Sequence, residues 1–405
     1  MTLLNYHLIF NKKKATLSNM IITTTDELTQ LCARLSHVPF ITLDTEFIRE
    51  KTYYPELCLI QIAGPDCEAC IDPLSSELDM TPLFGLLQNP KVVKVFHAAR
   101  QDIEIFYHLT GQVPTPLFDT QIAAMVCGYG DNVGYQQLVS DICRVTLDKS
   151  MRVTDWSRRP LTPDQEKYAL HDVTYLRDIY QTFSKRLTET GRQSWLSEEI
   201  AIQNNPATYD TDDNEVWRRI KVPFKKPLQT HVFARLCAWR EQTAKSKNRP
   251  RKFILKDEAL IELAILMPMN PDDMDRTRTL SKGFGNSSMG QEILHVIKQA
   301  RSDSPDLYPQ NWTPSTPLTS TQRTLADLLQ LLLHLVAAEL GVAPKIIASV
   351  EELHNIARGQ LDTPCMTGWR RDVFGEKVLL LKSGQLSFSY NPKKHKPEIQ
   401  VHLVS

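Results

Sequence analysis

Residues 39–47 read PFITLDTEF, and this stretch decides the fold. It is short, rich in β-branched and aromatic residues and opened by a proline, which is the composition of a strand. Asp44 and Glu46 stand two apart within it, so their carboxylates leave the same face. A strand interior disfavours Asp, and two acids on one covered face cost stability unless a cation or hydrogen bonds compensate. An edge strand with both acids in water would be the first explanation if the pair stood alone.

Working outward, LCLIQIAG (57–64), ACIDP (69–73) and VVKVFHA (92–98) also read as strands. Residues 80–87, 102–109, 119–127, 134–143 and 163–187 carry the helical repeat of apolar positions. Strands first and helices after predict a mixed sheet flanked by helices. The pattern dissolves at NNPATYDTDD (204–213), and SPDLYPQNWTPSTP (304–317) spends four prolines on a second linker. The expected units are an N-terminal extension at 1–19, an α/β domain at 20–205, and two all-helical domains at 220–302 and 318–405.

The 405 residues exceed one ordinary hydrophobic core, and 42% hydrophobic with 23% charged residues is a globular composition, which excludes a disordered chain. Forty-seven basic and 47 acidic residues cancel, so any affinity for nucleic acid must come from a local patch. Residues 217–257 hold one: 13 Lys and Arg against two acids, Glu241 and Asp257. The apolar run at the N-terminus is too short to span a bilayer and precedes its lysines, so neither signal peptide nor membrane is expected. Of the eight cysteines only Cys67 and Cys70 form a C-x-x-C pair, without two further zinc ligands at matching spacing. Reduced thiols in the cytoplasm are the expectation, with no obligate protein partner.

The acids at 44 and 46 do not stand alone. FHAARQD places Asp102 where a strand turns into a helix, and KYALHDVTYL places Tyr168 and Asp172 four apart on one helical face. Each motif is weak alone; their ordered combination resembles the DEDD exonuclease superfamily in its tyrosine-bearing branch. TEFIREKTYYPELCLIQIAG, KVFHAARQDIEIF, LFDTQIAAMVCGYG and DWSRRPLTPDQEKYALHDVTYL are similar to the ribonuclease D family throughout. FARLCAWREQTAKSKNRPRKFILKDEALIELA resembles the HRDC domain at Trp239, Arg240 and Glu241, at 248–250 and at 254–257, and the last unit looks like a diverged second copy.

The resemblance implies a ribonuclease H-like exonuclease domain followed by two HRDC-type domains. It implies a 3′→5′ exoribonuclease that trims 3′ extensions of structured RNA, chiefly tRNA precursors, and releases 5′-mononucleotides. Asp44, Glu46, Asp102 and Asp172 would hold two divalent ions, Mg²⁺ or Mn²⁺, since hydrolysis of a phosphodiester needs an activated water and a stabilised leaving oxygen, and hard oxygen ligands select such cations. Tyr168 would orient the attacking water. Thr45 and Phe47 would meet the terminal nucleotide, Tyr53 and Tyr54 would stack on bases, and Arg249, Arg251 and Lys252 would pair with phosphates. A proofreading-type DNA exonuclease and an inactive RNA-binding protein of the same fold are the alternatives.

Two residues are set aside. His171 adjoins Asp172 but is turned roughly 100° round the helix from it, and the histidine branch of the superfamily spaces its histidine five before the aspartate, where this chain has Lys167. Asp119 opens a helical run, where an Asp more often caps free amides than binds metal.

Overall fold

The stretch 39–47 folds as the centre of a six-stranded sheet. The computed structural model describes residues 21–148, 150–210, 212–223, 226–309 and 317–402; the expected extension at 1–19 lies outside them. The strands are β1 (Ile21–Ile22), β2 (Phe40–Ile48), β3 (Glu56–Gly64), β4 (Cys67–Ile71), β5 (Val93–Phe96) and β6 (Leu117–Asp119). Their order is β1-β4-β3-β2-β5-β6, with β2 antiparallel to β3 and parallel to β5, so the sheet is mixed. β1 and β6 span two and three residues, too few for any period to announce them.

Alternation along β2 and β3 divides the two faces. Ile41, Leu43, Ile60 and Ile62 are fully buried in one core with Leu28 and Leu31 of helix Thr25–Leu35 and Ile103 and Phe106 of helix Arg100–Thr110. On the other face Leu59 and Cys70 pack with Ala169 and Leu170 of helix Pro163–Thr174. That helix begins well: Thr162 and Gln165 form a capping box and Pro163 occupies the first turn. The helix expected over 163–187 divides at Tyr175, where Arg177 Nε donates to the Thr174 carbonyl at 3.0 Å, and resumes as Leu176–Thr190. The helix expected over 134–143 is Tyr135–Leu138 followed by a π turn, Val139–Cys143, which ends on a left-handed Arg144.

Helices Pro227–Ser246, Asp257–Leu266 and Ser288–Ser302 close a separate core around Trp217, Phe233, Leu236, Leu260, Leu263 and Ile297. The last unit, built on helices Ser320–Leu340 and Val350–Ala357, is not all-helical as expected. It adds a hairpin, β7 (Leu386–Asn391) and β8 (Lys396–Val401), because LSFSYN alternates apolar and polar residues with period two.

This unit shares the core of the sheet domain: Leu329, Leu332, Val336 and Phe374 belong to the same buried cluster as Ile41 and Phe183. Trp195 and Trp369 stack across the seam with ring centroids 4.1 Å apart. Ala343 N–H donates to the Met125 carbonyl at 2.9 Å. Gly128 has φ +79°, and a β-carbon there would lie 2.3 Å from the Gly341 carbonyl oxygen, so only glycine permits this approach. Among the described residues no helix is long and apolar enough to cross a membrane.

Candidate active site

Two elements converge on one spot. β2 contributes Asp44 and Glu46 from one face, and helix Pro163–Thr174 lies over that face and contributes Asp172; one carboxylate oxygen from each of the three lies within 4.8 Å of the others. A register shift between Glu46 and Phe47 marks a bulge, a common device for re-aiming a side chain beside a site. Asp102, in the first turn of helix Arg100–Thr110, stands outside that trio yet is buried, with the Thr45 hydroxyl donating to its Oδ1.

Asp119 pins the turn before Asp102. Its carboxylate accepts from the N–H groups of Ala98 and Ala99, both at 3.0 Å, and from Gln121 N–H at 2.8 Å as the cap of helix Thr120–Val126. Ala98 has φ +57°, a strained conformation for a residue with a β-carbon, and the two bonds from its neighbourhood to Asp119 hold it there.

The electrostatics are those of an uncompensated anionic cluster. Burial, then the charges of Asp102, Asp172 and Glu46, hold the Asp44 carboxyl well above the usual carboxylate range. Burial, then Asp172 and Asp102, push Glu46 up to about 8. Burial pushes Asp172 up to about 7. The donors are all carboxylate oxygens, without a thiolate or imidazole, and bringing a cation among them relieves the repulsion that raises them. This set fits hard divalent metal ions.

Tyr168 stands on the same helical face as Asp172, over the same cleft of about 380 Å³, which Asp44, His97, Tyr135, Gln136 and Arg152 also line. Burial, then the charges of Asp172, Glu46 and Asp44, raise its phenol above the ordinary range, so it is a neutral hydrogen-bond donor at any working pH. Trp156 packs near its ring, centroids 6.1 Å apart.

The softer expectations fare unevenly. Thr45, expected to meet substrate through its hydroxyl, is 6% exposed with that hydroxyl committed to Asp102. Phe47 is half-buried beside the bulge. Tyr53, expected to stack on a base, is 8% exposed and seals a joint with the first helical unit: its hydroxyl donates to Glu241 and accepts from Arg251 Nη2 at 3.0 Å. Arg251, expected to pair with phosphate, is engaged with Glu241 through Nε and, at 2.5 Å, through Nη2. A buried carboxylate, 1% exposed, outcompetes both expectations. Tyr54 is half-buried with its ring edge-on to His108, and Arg249 and Lys252 are exposed. His171 packs its ring against Tyr175 and takes no part in the trio. His97, Tyr135 and Arg152 were not foreseen; only His97 had a local signal, its place at the end of a strand within FHAARQD.

With this geometry in place, comparison with known proteins is decisive. A 3′-5′ exonuclease family model matches residues 19–188 and an HRDC domain model matches 229–297. Ribonuclease D of Bartonella henselae is 46% identical over 91% of each chain, and ribonuclease D of Granulibacter bethesdensis 43% identical over 94% of this chain and 96% of its own. The chain belongs to the ribonuclease D family. It is a 3′→5′ exoribonuclease. The crystal structure of ribonuclease D from Escherichia coli, an exoribonuclease involved in structured RNA processing, superposes with a TM-score of 0.77 at 29% identity, covering 90% of this chain and 99% of that one. The catalytic core of RRP6 from Trypanosoma brucei shares the fold, with a TM-score of 0.53 at 21% identity. The region matched by the exonuclease model, residues 19–188, includes β2 with Asp44 and Glu46 and the helix that carries Tyr168 and Asp172.

Proposed function

We propose that the enzyme trims 3′ tails from structured RNA, tRNA precursors above all, and releases 5′-mononucleotides by hydrolysis at a site of two divalent ions, Mg²⁺ or Mn²⁺. The observation that carries this reading is the convergence of Asp44, Glu46 and Asp172 at the cleft that Asp44, Asp172 and Tyr168 line together. When bound, the ions lower the pKa of water and stabilise both the attacking and the leaving oxygen of an in-line displacement.

The chain's own residues do the rest. Asp44, Glu46, Asp102 and Asp172 hold the ions, with Asp102 anchored by the Thr45 hydroxyl. Tyr168 stays protonated and orients the attacking water by a hydrogen bond, which is positioning rather than base catalysis. Arg152 meets a phosphate of the terminal nucleotides at the cleft. Outside the cleft, the exposed Arg249 and Lys252 grip phosphates of the RNA body in a salt-dependent, sequence-blind manner.

We also read the last unit as a diverged HRDC copy, bounded roughly as 318–405. Its support is the order of elements: a long helix, a single helical turn, a second helix, a 3-10 turn and a closing helix occur in both units. A cytoplasmic location accords with thiols such as Cys32 and Cys237, buried singly in apolar cores and pushed up to about 12 by that burial. The test is a time course on a 5′-labelled, 3′-extended tRNA precursor with Mg²⁺, beside EDTA and Asp44→Ala controls. A ladder shrinking one nucleotide at a time only in the metal-containing wild type is expected. Intact RNA beside degraded single-stranded DNA would overturn the substrate assignment, and no cleavage of either would overturn the reaction.

A further inference from the structure

Antiparallel register places Asp44, Gln61 and Cys70 in one row across β2, β3 and β4. Residues directly opposite in antiparallel strands project from the same face. Gln61 therefore leaves the sheet beside Asp44, on the face that Ala169 and Leu170 of the tyrosine helix cover. Its side chain is 0% exposed, and neither its Nε2 nor its Oε1 has a hydrogen-bond partner among the described residues. A buried amide left unpaired loses its hydration without replacement and destabilises the fold. An apolar side chain of the same volume would avoid that cost, so packing gives no reason for glutamine here.

The neighbouring ligand shows what is missing. Asp102 receives a side-chain donor, the Thr45 hydroxyl. Among the described residues no side chain donates a hydrogen bond to Asp44, and the one donor near its carboxyl is the Thr45 backbone. Metal-binding carboxylates are as a rule themselves held by hydrogen bonds that fix which oxygen faces the ion. We propose that Gln61 is the positioning residue for Asp44: its amide Nε2 donates to the oxygen of Asp44 that does not face the ion and so sets the ligand's orientation. The inference rests on the metal-site reading above and deepens it. Gln61 touches neither substrate nor ion; it acts through Asp44, and the bond would give its Nε2 the partner it lacks.

The test is Mn²⁺ binding to the full-length protein by calorimetry, with thermal melting in EDTA alongside, for wild type, Gln61→Met, Gln61→Asn and Asp44→Ala. Gln61→Met should melt in EDTA at or above the wild-type temperature while its Mn²⁺ affinity falls ~10–100-fold, the usual consequence of losing a ligand's supporting partner. Gln61→Asn keeps the amide but withdraws it by one methylene, and it should weaken Mn²⁺ in the same direction even if Gln61→Met fails to fold. Wild-type Mn²⁺ affinity in either folded variant would overturn the proposal and leave the metal site standing. So would a drop in melting temperature with unchanged affinity, the mark of a merely structural role. If the wild type itself bound no Mn²⁺, or Asp44→Ala bound it as well as wild type, the metal-site reading would fall and this inference with it.

Discussion

The two C-terminal units both open on a long helix, a single turn and a second helix, but they meet the exonuclease domain in opposite ways. The first, around helix Pro227–Ser246, encloses its own core of Phe233, Leu236 and Leu263 and meets the exonuclease domain at a small mixed joint, where Tyr53 packs on Ala244 and Ile254 and hydrogen bonds tie it to Glu241, Asn248 and Arg251. The last has no core boundary: Leu332, Val336 and Phe374 belong to the cluster that holds the sheet, and two tryptophans stack across the seam. Apolar burial is non-directional and scales with area, so a shared core ties a unit more firmly than a small joint does. A unit of the first kind has a core of its own. A unit of the second kind is part of the domain it covers.

The largest effect should come from cutting the units apart. Residues 212–309 expressed alone should melt cooperatively by circular dichroism, because their core is complete; residues 317–402 alone should not, because the apolar face of helix Ser320–Leu340 loses its partners. Two cooperative melts, or none, would remove the contrast. Point changes of equal size should then separate the units more finely. Phe233→Ala and Phe374→Ala each delete a fully buried ring at a cost of about 3–5 kcal/mol. Hydrogen exchange should accelerate only in the first helical unit for Phe233→Ala, and in the sheet as well as the last unit for Phe374→Ala.

Metal should tell the two bodies apart by linkage. In the free protein Glu46 is held near 8 and Asp172 near 7, above their values in an unfolded chain. Groups raised on folding contribute stability that is fully present below the unfolded value and is lost as pH rises through the folded one. The merged body without metal should therefore lose stability between about pH 4 and 8. Mn²⁺ at a hundredfold excess over its Kd should restore about 2.7 kcal/mol at neutral pH. The melt of the first helical unit should not move with Mn²⁺; if it did, the joint would be coupled to the site.

How much of this was legible follows from the range over which each signal acts. Asp44 with Glu46, and Tyr168 with Asp172, are local spacings on a strand and a helix, and they fold where the periods put them. Gln61 gave no signal, because its place beside Asp44 is a matter of register between two strands. Arg152 reaches the cleft from a turn that carries no period, and Tyr135 sits on a periodic run whose repeat does not say which helix end faces the site. Helix Ser320–Leu340 reads as amphipathic whichever body its face meets, so the merged core was invisible. Arg251 counted as one of 13 basic residues, and only the fold shows that one of the two acids in that count, Glu241, is buried against it.

The smallest effect tests the joint itself. Tyr53→Phe removes one bond to a buried carboxylate, worth about 2 kcal/mol, while Arg251 keeps Glu241 paired and Asn248 Oδ1 still accepts from the Tyr53 and Tyr54 N–H groups, both at 3.1 Å. The joint should loosen rather than part: exchange at 49–54 and 248–256 should quicken by roughly tenfold to thirtyfold, the factor such an energy sets. Because the acids and Tyr168 keep their places, kcat on a short single-stranded oligonucleotide should stay at the wild-type value. On the proposed reading, in which a structured, 3′-tailed RNA also meets the basic unit, KM for that substrate should rise. If the short oligonucleotide lost as much as the structured RNA, Tyr53 would be acting on substrate directly, and the stacking role first expected of it would displace the joint.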